Sequence, residues 1–61
     1  VQLEYSPHIL DTLAESYYVN GLFEQAINTE RRAFELTTKN RDYYKKQLLK
    51  FKLAMQKSFL L

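Results

Sequence analysis

Apolar residues recur along this chain at helical rather than strand spacing. Leu10, Leu13, Ala14 and Tyr17 stand at i, i+3, i+4 and i+7, and at about 100° per residue they share one face. Ser6 and Pro7 precede them as an N-cap and a first helical residue. A serine hydroxyl satisfies an otherwise unpaired helix amide, and proline has no amide to satisfy. Asn20-Gly21 closes this first helix, because glycine enters left-handed backbone without steric cost. A second helix starts between Leu22 and Glu24. Its Phe23, Ala26, Ile27, Ala33 and Phe34 share a broad face, while Arg31 and Arg32 point elsewhere. The turn between the two helices is so short that they are expected to pack as an antiparallel hairpin. Residues 1–6 show no helical period and read as a lead-in segment.

The next boundary is less sharply marked. Thr37-Thr38-Lys39-Asn40 is polar and holds two β-branched residues, which predicts a short loop with Asn40 as the following N-cap. No Gly or Pro enforces that break, so one helix running through it is the alternative. A third helix is predicted from Arg41 to Ser58. Tyr44, Leu48, Phe51, Met55 and Phe59 line one of its faces. Leu49, Leu53 and Leu60 form a second stripe roughly 140° away by the same angular count. Lys46, Lys50 and Lys57 flank that stripe on one edge, Lys45 and Lys52 on the other.

Size sharpens the meaning of the uncovered stripe. With 61 residues the chain is one domain at most. A domain of this size buries only about 60% of the surface its unfolded chain exposes. The chain has no cysteine and one histidine, His8, so neither disulfides nor a thiolate or histidine metal cluster can staple it. Stability is therefore expected from helix packing, self-association or neighbouring repeats. The chain opens on Val1 and carries neither a signal peptide nor an apolar run of membrane-spanning length, and it reads as a piece of a longer protein. The lack of cysteine is compatible with a reducing compartment such as the cytoplasm. Charge is divided: residues 1–40 carry six acids and three bases, residues 41–61 six bases and Asp42 alone. The net +2 thus separates into −3 and +5, which suggests contact between the two parts or a different partner for each.

Residues 7–40 resemble a tetratricopeptide repeat, a helix–turn–helix unit of about 34 residues. Leu10, Leu13, Ala14 and Tyr17 stand at the pattern places of its first helix, Gly21 at the loop glycine, Phe23 at the aromatic after it, and Ala26 and Ala33 at the small packing positions of its second helix. In such a hairpin Ala14 and Ala26 let the helices approach closely, and Leu10, Leu13, Tyr17, Phe23 and Phe34 fill the space around them. Leu10 replaces the usual Trp, Glu30 an aromatic, and Thr38 the proline that normally ends the repeat. The resemblance implies an all-α fold in one domain, a repeat hairpin over 7–40 with residues 41–61 as a terminal capping helix. A cap is expected to be polar outside, whereas this one carries Leu49, Leu53 and Leu60. The resemblance also implies a peptide groove lined by the first helix, with His8, Asp11, Thr12, Glu15, Tyr18 and Val19 facing it. Relatives that clamp acidic peptide ends use Lys, Arg and Asn at these places. Acids here imply a basic or neutral ligand, with Tyr18 as its aromatic anchor.

No catalytic constellation emerges. The His8–Asp11 pair at i, i+3 is an ordinary surface contact, and Ser6, Ser16 and Ser58 have no base at motif spacing. Asp11 and Glu15 share a helix face, but a solvated acidic face accounts for them better than a metal site. No glycine-rich loop is present to cradle phosphate. The basic third helix, with Tyr43 and Tyr44 beside it, offers phosphate or membrane-surface contacts. Its bases straddle the helix, however, which favours a solvated lysine-rich surface. The chain therefore reads as a protein-interaction or scaffold segment without cofactor, metal or small-molecule substrate. Taken alone it is expected to self-associate through Leu49, Leu53 and Leu60, with the flanking lysines meeting Glu24 or Glu30 of a neighbouring copy.

Overall fold

The computed structural model describes residues 5–60 and is built of three helices: α1 (Pro7–Val19), α2 (Phe23–Leu36) and α3 (Arg41–Leu60). The first four residues of the lead-in segment lie outside the described part. The α1 start follows from its first two residues. Ser6 Oγ accepts the Ile9 amide at 3.2 Å, and Pro7 occupies the first turn. At the other end Gly21 takes φ +76°, and the amides of Gly21 and Leu22 return to the carbonyls of Tyr18 and Tyr17 at 3.0 and 2.9 Å. This pair of bonds satisfies the last carbonyls of α1 and turns the chain directly into α2. A Cβ at Gly21 would meet nothing within 4 Å, so the backbone angle alone calls for glycine there.

The chain breaks at the Thr37–Asn40 junction, and α2 and α3 are separate helices. Thr37 is buried and extended (φ −75°, ψ 142°). Arg41 holds the corner from the far side. Its guanidinium lies 4.2 Å from the Phe34 ring centroid, and its Nη1 donates to the carbonyls of Phe34 and Thr37 at 3.3 and 3.1 Å. Asn40 precedes α3 in a different manner from that expected of an N-cap. It adopts left-handed backbone (φ 59°), which asparagine tolerates better than most residues. Its carbonyl accepts the amides of Tyr43 and Tyr44, while its side chain makes no hydrogen bond among the described residues.

The core lies where all three helices meet. Ala14 and Ala26 are wholly buried, together with Ile27, Leu48 and Phe51. Leu10, Ala33 and Tyr44 form a second buried group, and Phe34 packs against both. Tyr17 and Phe23 are half-buried at the margin. Two expected packing residues are not in the core. Leu13 is 40% exposed, because it borders a surface hollow that it shares with Asn28, Thr29 and Arg32 of α2 and to which α3 contributes nothing. Phe59 is 80% exposed because α3, at 20 residues, outruns a hairpin of 13- and 14-residue helices. At about 1.5 Å per residue α3 extends roughly 10 Å past them. No helix among the described residues is long and apolar enough to cross a membrane.

Two outcomes follow from this packing. Phe51 is wholly buried and belongs to the helix that closes the core, so Phe51→Ala is expected to cost about 3–5 kcal/mol and to abolish the cooperative thermal transition followed by circular dichroism. Thr37 already has the extended backbone that a following proline requires, and Thr38 donates no backbone hydrogen bond at the junction. Thr38→Pro should therefore keep full helicity and leave stability within about 1 kcal/mol of the parent. A drop in helicity would show that residue 38 needs a backbone geometry proline cannot adopt.

Candidate functional site

Two surfaces combine chemistry with access. The first is a polar groove between α1 and α3. One turn apart on α1, Asp11 and Glu15 project toward α3, whose Tyr43, Gln47 and Lys50 stand at matching intervals. Tyr43 Oη donates to Asp11 Oδ2 at 2.7 Å, and Gln47 Nε2 donates to both Asp11 Oδ1 and Glu15 Oε2, at 3.2 and 3.1 Å. Lys50 Nζ reaches both Glu15 oxygens at 3.2 Å and also lies 4.8 Å from the Tyr18 ring centroid. The Lys50–Glu15 pair is 41% exposed on each side, where solvent screening leaves an ion pair little net energy. It does bring the acidic and basic parts of the chain together. Gln47 makes the more specific contact, since one amide bridges two carboxylates.

Behind this groove lies an unusual group. Glu30 of α2 is wholly buried, and neither of its carboxyl oxygens has a hydrogen-bond partner. Burial, then the neighbouring Asp11 and Glu15 carboxylates, push its pKa up to about 8, with Lys50 pulling weakly the other way. Glu30 is therefore largely protonated at neutral pH, and the fold buries a neutral acid rather than a charge. The same negative surroundings act on the tyrosines. The hydrogen bond to Asp11, followed by burial, moves Tyr43 up to about 12. Burial, followed by Asp11, moves Tyr44 upward too.

The groove residues expected from sequence divide accordingly. Asp11, Thr12, Glu15 and Val19 line one groove together with Ser16, Tyr43, Gln47 and Lys50. His8 is exposed at the opposite end of α1, beside the Thr37–Asn40 junction. Thr12 turns its hydroxyl to the His8 carbonyl at 3.1 Å. Tyr18 differs from its expected role. Its ring packs 4.9 Å from that of Phe51 and 6.0 Å from that of Phe23, so it is a core-edge residue and not a protruding anchor. Asp11 is buried and, like Glu15, already bonded within the chain. Sequence reading missed Gln47 and the burial of Glu30. The available signal was a carboxylate on the apolar face of α2.

The second surface is the outer face of α3. Leu49, Leu53 and Leu60 are 57%, 46% and 79% exposed, on the side of the helix opposite Tyr44, Leu48 and Phe51. Lys45, Lys46, Lys52 and Asp42 surround Leu48 and Leu49 in a shallow hollow. Glu30, one of the two acids expected to meet these lysines from another copy, is unavailable because it is buried.

The raised pKa of Glu30 has a testable consequence. From pH 4.5, the ordinary value, to about 8, the unfolded chain ionises this residue while the folded chain keeps its proton. Stability contributed by Glu30 is thus fully present below pH 4.5, falls as pH rises through that window, and is flat above it. At about 1.4 kcal/mol per pKa unit the loss amounts to a few kcal/mol. Glu30→Gln should remove the decline and melt higher than the parent at pH 8. Parallel melting-temperature profiles for parent and variant would show that Glu30 is ionised in the fold.

Comparison of the chain with family models, with curated proteins and with solved structures finds no match.

Proposed function

We propose that this chain is a non-catalytic protein-interaction and scaffold segment of tetratricopeptide type, with α1 and α2 forming the repeat and α3 capping it. The observation that carries the reading is the apolar outer face of α3. Leu49 and Leu53 stand exposed on a helix whose opposite face is fully engaged with the hairpin. Leucines so placed favour the helix itself but bury little surface within this chain, and a docked helix would cover them. The other flank of the layer supports the same reading, since Ile9 and Leu13 are exposed side by side on α1. Repeat units stack through such flanks.

The polar groove is the weaker of the two candidate surfaces. A basic or neutral peptide laid along α1 would have to displace Tyr43, Gln47 and Lys50 from Asp11 and Glu15. The side chains around it make hydrogen bonds within the chain and offer no uncommitted acid. The α3 face asks for no such rearrangement.

The reading is tested by fluorescence anisotropy with labelled helical peptides that share a leucine seam and differ in their flanking residues. Saturable binding of at least one peptide is expected. Leu49→Glu combined with Leu53→Glu should weaken it by about 100-fold or more, corresponding to two hot-spot leucines at roughly 1.4 kcal/mol each. Both positions are exposed, so the variant should keep the circular dichroism spectrum of the parent. If no peptide binds the parent, or if the double variant binds as well as the parent, the α3 face is not an interaction surface.

A further inference from the structure

We infer that the outer face of α3 takes one amphipathic helix whose apolar ridge is flanked by acidic residues. The inference rests on the interaction reading above and supplies the chemistry of the partner.

The seam itself comes first. Asp42, Lys46, Leu49, Leu53, Gln56 and Leu60 follow one another in alternating steps of four and three residues. That is the spacing along which one helix meets another in a single line of contact. The positions beside such a seam decide which partner is accepted, because they face the partner's own flanking residues. On one side here they are Lys45, Lys52 and Phe59, on the other Tyr43, Lys50 and Lys57. Every charged residue beside the seam is a lysine. Lys50 is engaged with Glu15 in the only ion pair among the described residues. Lys45, Lys52 and Lys57 are exposed and have no acidic partner there.

This pattern discriminates between occupants. A second copy of α3 laid in parallel would set Lys45 against Lys50 and Lys52 against Lys57 of its mate. Laid antiparallel, it would set Lys45 against Lys52 and Lys50 against Lys57. Either way like charges meet at every charged flanking position, which is destabilising and selects against self-pairing. Of the two hairpin acids that could relieve the repulsion from a neighbouring copy, Glu30 is wholly buried, and Glu24, which is exposed, shares its face of α2 with Arg31 seven residues on. A lipid surface fits less well than a helix. A helix lying in a membrane interface buries a broad apolar face, whereas this one carries Asp42 and Gln56 among its three leucines and Lys46 at their edge. Nucleic acid would engage the lysines but leave the leucines uncovered. A helix with leucines on its ridge and Glu or Asp beside it satisfies both features at once.

The test uses the full chain and three labelled peptides with one leucine seam, flanked by Glu, by Gln or by Lys. The Glu-flanked peptide is expected to bind at least about tenfold more tightly than the Gln-flanked one, and the Lys-flanked one weakest. Added salt should narrow the difference, as screening requires. Lys45→Glu combined with Lys52→Glu, both exposed, leaves two acids against Lys50 and Lys57 beside the seam and should abolish the preference for the Glu-flanked peptide while leaving the helical spectrum unchanged. Equal binding of Glu- and Gln-flanked peptides would overturn the acidic-partner inference and leave the interaction reading standing. Absence of binding by all three would overturn both. A parent that sediments as a dimer dispersed by Leu49→Glu would make a second copy the occupant and overturn the inference. So would binding to phosphatidylserine vesicles, or to duplex DNA, without binding to the Glu-flanked peptide.

Discussion

Phe51 joins the three helices of this protein. It is a large apolar side chain held entirely out of solvent, it belongs to α3, and with Leu48 of the same helix it packs against Ala14 of α1 and Ala26 and Ile27 of α2. Two of the three residues that the hairpin gives to this cluster are alanines. Alanines at that place let two helices approach closely but bury little apolar surface. Without a ring supplied from α3 the hairpin would be a nearly empty clasp. Seating Phe51 also fixes the rotation of α3 about its own axis, and that rotation governs both candidate surfaces.

With Phe51 inward, Tyr43, Gln47 and Lys50 are carried over α1, where Asp11 and Glu15 wait at helical spacing. The same placement closes the lid over Glu30. A carboxyl group sealed beside two other acids would be prohibitively costly if ionised, and protonation avoids that cost at neutral pH. The polar groove and the buried acid are thus one electrostatic unit spread over three helices. Each member keeps the others from being charged and unpartnered at the same time.

The same rotation turns Leu49 and Leu53 to solvent. A helix buried on one side and apolar on the other cannot be satisfied by a single hairpin. In the proposed interaction, the lysines beside the leucines set the charge that a second helix must carry. What holds the fold together on one face of α3 leaves the leucines of the other face exposed.

Much of the architecture was legible in the residues themselves. The Ser6-Pro7 start, the Gly21 turn and the stripes of all three helices depend on local backbone chemistry and on periodicity, which neighbours in sequence carry within one or two turns. The all-α hairpin with a third helix therefore followed from the chain alone, as did the two apolar faces of α3. The break at Thr37–Asn40 was only half legible. Its permanence comes from Arg41 reaching back to Phe34 and Thr37, a contact across a corner that periodicity does not report. The groove was decided by tertiary structure. Asp11 and Glu15 look like ordinary surface acids until α3 is laid beside them, and Glu30, although it falls on the apolar face of α2, shows no sign of its protonation state. Only with α3 in place does Tyr18 become a core-edge residue, Asp11 a buried acceptor and Glu30 a neutral acid. Protonation state and access depend on what packs from more than twelve residues away along the chain, and no local pattern encodes that distance.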